Sequence, residues 1–125
     1  MNRISNNKFE KKISENMLNY YDLLHGGEAF KIMDSTAGYI SREFVNGKTV
    51  TKAAKEVVYH NSSYLGETII SQGEIIKVGR TSMEVYVENR IKERDNILIT
   101  SGTFVMVSVD NNFKPKEIRK TSKIN

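Results

Sequence analysis

The chain has no cysteine and no tryptophan, a single proline and only two histidines among its 125 residues. The missing thiol excludes disulfides, thiolate nucleophiles and Cys-based zinc sites together. His25 and His60 lie too far apart in sequence to read as a metal motif, so no metal site is expected and a Ser-His-Asp triad has few candidates. Acid–base chemistry then falls to carboxylates. No apolar run approaches the ~20 residues of a membrane span. The opening stretch, MNRISNNKFEKK, lacks the apolar core of a signal peptide, so a cytoplasmic location is expected. Pro115 stands near the end, and no Pro-, Gly- or Ser-rich stretch marks a linker. One domain over residues 1–125 follows, with a basic, polar tail from about 111 to 125 whose end is expected to be mobile. Removal of residues 117–125 is accordingly expected to cost little stability. The formal charge is +4. Such a surface suits a polyanion, whether nucleic acid, anionic lipid or a phosphorylated cofactor, and it suits plain solvation equally well.

What is present reads as strand, helix, then four strands. Residues 7–14 form a short polar edge strand. Residues 25–43 carry Ala29, Ile32, Met33, Thr36, Ala37 and Ile40 at helical spacing. Phe30, Gly38 and Tyr39 widen that stripe, which implies a helix buried on several sides. Afterwards the period changes to two, giving strands over 49–59, 66–78, 80–92 and 96–109. Tight turns at Gly79-Arg80 and Arg94-Asp95-Asn96 make the sheet antiparallel, and it must wrap the helix. Gly73, inside a strand, marks a bulge, a bend or a close approach.

Residues 19–38, NYYDLLHGGEAFKIMDSTAG, carry the chemistry. His25-Gly26-Gly27 opens the helix. A helix start offers unpaired N–H groups and partial positive charge, and glycine admits a substrate to the backbone. This could be a carbonyl-polarising site, or two glycines that only begin a helix. Asp34 is a carboxylate within an apolar helix, either functional or simply paired or turned to solvent. Gly27 and Asp34 share a face but lie roughly 10 Å apart along the axis, so one carbonyl cannot readily touch both. If both act on one substrate, a second copy of the chain must supply one of them.

The spacing Asn19, Leu24, Gly26-Gly27, Met33-Asp34, Ala37 resembles that of the hotdog-fold acyl-CoA thioesterases of the acyl-CoA hydrolase type. So do the stretch from Val78 to Val85, the run Ser101-Gly102-Thr103-Phe104, and the run from Val107 to Asp110. The resemblance covers roughly residues 15–118 and implies an α+β hotdog fold, an antiparallel five-stranded sheet wrapped around one long central helix. It implies hydrolysis of acyl-CoA to CoA and a carboxylic acid. Asp34 is then the general base or a direct nucleophile, Asn19 its polar partner, and the N–H of Gly26 or Gly27 the carbonyl donor. In the family these groups meet across a homodimer interface, and hexamers are common. No cofactor is implied beyond coenzyme A within the substrate. Its phosphates suit a basic protein. Arg80, Thr81 and Ser82 are candidate contacts in a hairpin, Lys55 and Lys77 are equally open, and Tyr59 and His60 are candidates for the pantetheine channel.

Four positions depart from the family pattern. Ser35 stands for Glu, His25 for Phe, Lys55 for Asp and Ser62 for Pro. His25 could bond the substrate or cap the helix. Beside hydrolysis stands a second reading, an acyl-CoA-sensing hotdog domain without turnover, although a sensor needs neither Asn19 nor Asp34. A hydratase requires an acid–histidine pairing that Asp22, His25 and His60 do not match. A nucleic-acid binder requires a basic stripe, whereas here bases and acids are interspersed outside the tail.

Overall fold

The computed structural model describes residues 1–118. In chain order it contains β1 (Asn2–Ser5), β2 (Lys8–Lys12), α1 (Gly26–Val45), β3 (Lys48–Tyr59), β4 (Thr68–Val78), β5 (Ser82–Ile91) and β6 (Ile97–Val109). The strands form one antiparallel sheet in the order β1-β2-β4-β5-β6-β3, with α1 packed on one face. The sheet therefore has six strands. The extra one, β1, carries the polar sequence NRIS, is exposed throughout and pairs only with β2, so it leaves no hydrophobic periodicity to read.

Period-two patterning is clearest on β5, where Met83, Val85, Val87, Asn89 and Ile91 are buried and the residues between them are not. The side chains of Met83, Val85 and Val87 meet Met33, Ala37 and Ile40 of α1 and Phe104 and Met106 of β6 in one cluster. A second cluster gathers Ile13, Met17, Ile32, Ile69, Ile91 and Ile99 under the start of α1. Gly73 is the close approach: a Cβ there would stand 2.9 Å from Ile40 Cδ1 and 3.1 Å from the Tyr86 carbonyl oxygen. Glycine thus lets α1 sit down on β4.

α1 is buried on its sheet-facing side only. Gly27, Lys31, Ser35 and Arg42 form an exposed stripe along it, so the expectation of burial on several sides does not hold for one chain. His25 caps its start and Asn46, in the left-handed region at φ 52°, ends it. The expected tail is also revised. Pro115 bridges to Val109, the Lys116 N–H donates to the Ser108 carbonyl, and the Ile118 N–H donates to the Arg80 carbonyl. Ile118 is buried in the main core, so residues 111–118 dock. Its single apolar side chain outweighs the polar residues around it, and the low cost expected of removing 117–125 is withdrawn. Residues 119–125 lie outside the described residues.

Among the described residues no helix is long and apolar enough to cross a membrane.

Candidate active site

α1 begins where His25 turns from extended to helical backbone. Its Nδ1 accepts the Gly27 N–H at 3.0 Å, which makes His25 the helix cap. The Gly27 N–H is therefore occupied. The Gly26 N–H has no protein acceptor among the described residues, and it is the donor left open at the helix start. The Tyr59 hydroxyl, from the end of β3, donates to the Gly26 carbonyl at 3.1 Å and fixes that peptide. A Cβ on Gly26 would touch the Tyr59 ring at 3.4 Å.

Asn19 precedes the helix in a tight loop. Its Oδ1 accepts the N–H of Tyr21 at 2.8 Å and of Leu23 at 3.1 Å. Two backbone donors on one side require the amide oxygen there, so the Nδ2 donors point away from the loop. Asp22, at φ 61°, lets the loop close.

Asp34 lies on the flank of α1 that faces β3. It is half-buried, and the Thr51 hydroxyl donates to its Oδ1 at 2.7 Å. Thr51 is a partner that sequence reading missed. Asn19 Oδ1 is bonded within its own loop, whereas Asp34 Oδ1 is bonded to β3.

The sheet register separates two levels. Thr51, Met106 and Met83 stand opposite one another, with Val50, Val107 and Ser82 beside them. The Arg80–Ser82 hairpin thus shares Asp34's level. Tyr59, Thr100, Asn89 and Ser71 form a second row beneath Gly26. Within one chain the hairpin and the helix start lie at opposite ends of the sheet. In the hairpin the Gly79 N–H donates to the Ser82 carbonyl at 2.7 Å, and exposed Arg80 approaches Glu117 at 3.6 Å.

Other candidates are engaged elsewhere. Lys55 pairs with Glu84 at 2.9 Å, and His60 Nε2 lies 2.8 Å from Ser101 Oγ. Near His60, burial alone would raise the Glu88 carboxyl, but hydrogen bonds from Arg90 and Tyr86 hold it below its ordinary range. Burial, with Glu88 beside it, pushes the Tyr86 phenol up. Among the described residues no cluster of three or more His, Asp or Glu is placed to hold a metal ion.

A profile of the thioesterase superfamily matches residues 21–97. An uncharacterized acyl-CoA thioester hydrolase of Zymomonas mobilis is 30% identical over 98 residues, 76% of this chain and 66% of that protein. The chain thus spans just under two thirds of that relative's length. A hexameric thioesterase from Yersinia pestis superposes with a TM-score of 0.85 at 21% identity, over 89% of this chain and 92% of the other, which shows the fold. A Streptococcus mutans protein bound to acetyl CoA superposes with a TM-score of 0.75 at 26% identity, over 90% and 82%.

Proposed function

The chain belongs to the thioesterase superfamily, and on that footing we propose that it hydrolyses acyl-CoA thioesters to free CoA and a carboxylic acid. The observation that carries this reading is that one helix bears both an open N–H at its start, on Gly26, and a hydroxyl-oriented carboxylate, Asp34. The Zymomonas relative's name and the acetyl CoA on the Streptococcus protein support the substrate class.

In the proposed reaction the thioester carbonyl accepts from the Gly26 N–H, which stabilises the oxyanion as it forms. Asp34 takes a proton from water while the water oxygen attacks the carbonyl carbon. Thr51 holds Oδ1, which leaves Oδ2 for the water. The C–S bond breaks as the tetrahedral intermediate collapses, and the proton passes to the departing CoA thiolate. Asn19 Nδ2 orients the water or the substrate.

A second copy completes the site. Asp34 follows Gly26 by about 12 Å of helix axis. β3 is a twelve-residue edge strand with exposed Val50, Val58 and Tyr59. A long open edge is a template for pairing with another chain. Pairing of two β3 edges in a homodimer supplies Gly26 and Asn19 from one protomer and Asp34, with the Arg80–Ser82 hairpin for CoA phosphates, from its partner. The hexameric Yersinia thioesterase is the precedent for further assembly.

A panel of acyl-CoAs, followed by free-thiol release, tests the proposal. Turnover by the native chain and its loss in Asp34→Ala are expected. Binding that raises Tm with no thiol release would instead establish the sensor.

A further inference from the structure

The underside of α1 is tied to the sheet by polar bonds as well as by apolar packing. In the row formed by Ser71, Asn89, Thr100 and Tyr59, three members bond the helix between its start and its middle. Ser71 Oγ lies 2.7 Å from Thr36 Oγ1, Asn89 Nδ2 donates to the Ala29 carbonyl at 3.1 Å, and Tyr59 bonds the Gly26 carbonyl.

Asn89 is the unusual member. It is 0% exposed, yet among the described residues its Oδ1 and the adjacent Thr100 Oγ1 find no partner. A buried amide satisfied on one side only is costly, and a leucine of the same branched shape would carry no such cost. Packing therefore gives no reason for an asparagine here. Its Nδ2 does fix one carbonyl. The Ala29 N–H donates to the His25 carbonyl at 3.1 Å, and His25 Nδ1 accepts the Gly27 N–H. Hydrogen bonds thus run from the middle of the sheet to the helix start.

We infer that Asn89 is a positioning residue, which holds the first turn of α1 at the height and rotation that aim the Gly26 N–H at the thioester carbonyl. The inference rests on the proposed function of that helix start. Apolar contacts tolerate a small slide or rotation of a helix, whereas a hydrogen bond is directional. A misplacement of about 1 Å is enough to cost a large part of a rate.

Asn89→Leu and Asn89→Ser test it. Leucine keeps the shape without the donor; serine is too short to reach Ala29 and too small to overpack. In both, kcat should fall about tenfold with KM within about twofold of the native value. Amide exchange at residues 26–33 should quicken, while residues 38–45 stay protected. The Tm of Asn89→Leu should hold or rise. Unchanged kcat or unchanged exchange in either folded variant overturns the inference. So does a loss of activity that vanishes when rates are taken per folded subunit. If the native chain hydrolyses no acyl-CoA, the functional reading fails instead, and exchange at 26–33 still decides whether Asn89 holds the helix start.

Discussion

Thr51 donates its hydroxyl to Asp34 Oδ1 at 2.7 Å, joining an edge strand to the middle of a helix across 17 residues of sequence. The bond sets the carboxylate on the flank of α1 where a second copy is proposed to dock. Asp34→Ala should lower kcat about a hundredfold or more, because the base is gone, and should leave Tm unchanged or higher. Thr51→Val keeps the shape and removes the donor, so kcat should fall about tenfold through lost orientation. Thr51→Ser should restore it. Full turnover in Thr51→Val under steady-state assay would reduce the bond to a structural one.

His25 separates cap from substrate contact. Its Nδ1 accepts the Gly27 N–H, so the ring proton sits on Nε2. His25→Ala should cost about 1 kcal/mol of stability through loss of the cap. Asparagine caps as well, so His25→Asn should recover both Tm and turnover. If Tm returns in that variant and KM stays high, the imidazole is a substrate ligand after all.

Much of this was legible in the sequence, for reasons that vary by element. The alternation through Met83, Val85 and Val87 and the helical spacing through Ile32, Met33 and Ile40 are one-dimensional records of a buried face. The sequence also singled out the Asn19, Gly26-Gly27 and Asp34 positions as candidates. What each atom does was not. Only the folded geometry shows that Gly27's N–H is consumed by His25 while Gly26's stays open. Thr51 was hidden because its meaning depends on β3 lying beside the helix flank, which no local pattern encodes. Lys55 drew attention as a phosphate ligand, yet its distance from Glu84 on β5 is a fact of sheet register. Ile118 was hidden by the polar residues that surround it.

Ile118 makes the docked segment testable. The side chain is buried against the core and its N–H closes on the Arg80 carbonyl, so the last described residues brace the hairpin proposed to meet CoA. Ile118→Ala should cost about 2–5 kcal/mol, the usual range for a buried isoleucine. Truncation before residue 117 should cost at least as much. Thermal melts measure both, and a Tm within a degree of native after truncation would show that the docking contributes nothing.

Acid should erode the fold through specific carboxylates. The backbone N–H groups of Lys114 and Asn112 hold Asp110 below its ordinary range, and the Thr68 N–H and hydroxyl do the same to Glu93. Carboxyls lowered in the folded state bind fewer protons there than when unfolded. Their stabilisation is present at neutral pH and is lost as pH falls through the ordinary carboxylate range towards the lowered folded values. Asp110→Asn should therefore lower Tm near pH 7 by more than near pH 3. Melts across that range check it, and a constant offset at every pH would remove Asp110 from the acid response.

The shared site yields the sharpest outcome. About 12 Å of helix axis separates Gly26 from Asp34, too far for one thioester carbonyl to meet both within one chain. If each site takes Asn19 from one protomer and Asp34 from its partner, then Asn19→Ala and Asp34→Ala are each inactive alone. Denatured together and refolded, they assort at random, and about half the dimers are mixed. In a two-fold mixed dimer one site lacks both groups and the other has both native. About a quarter of all sites should then regain activity. If both residues act within one chain, no mixture rebuilds a site. Thiol release that stays at the level of the separate variants, in a sample where mass spectrometry finds mixed dimers, would exclude the shared arrangement.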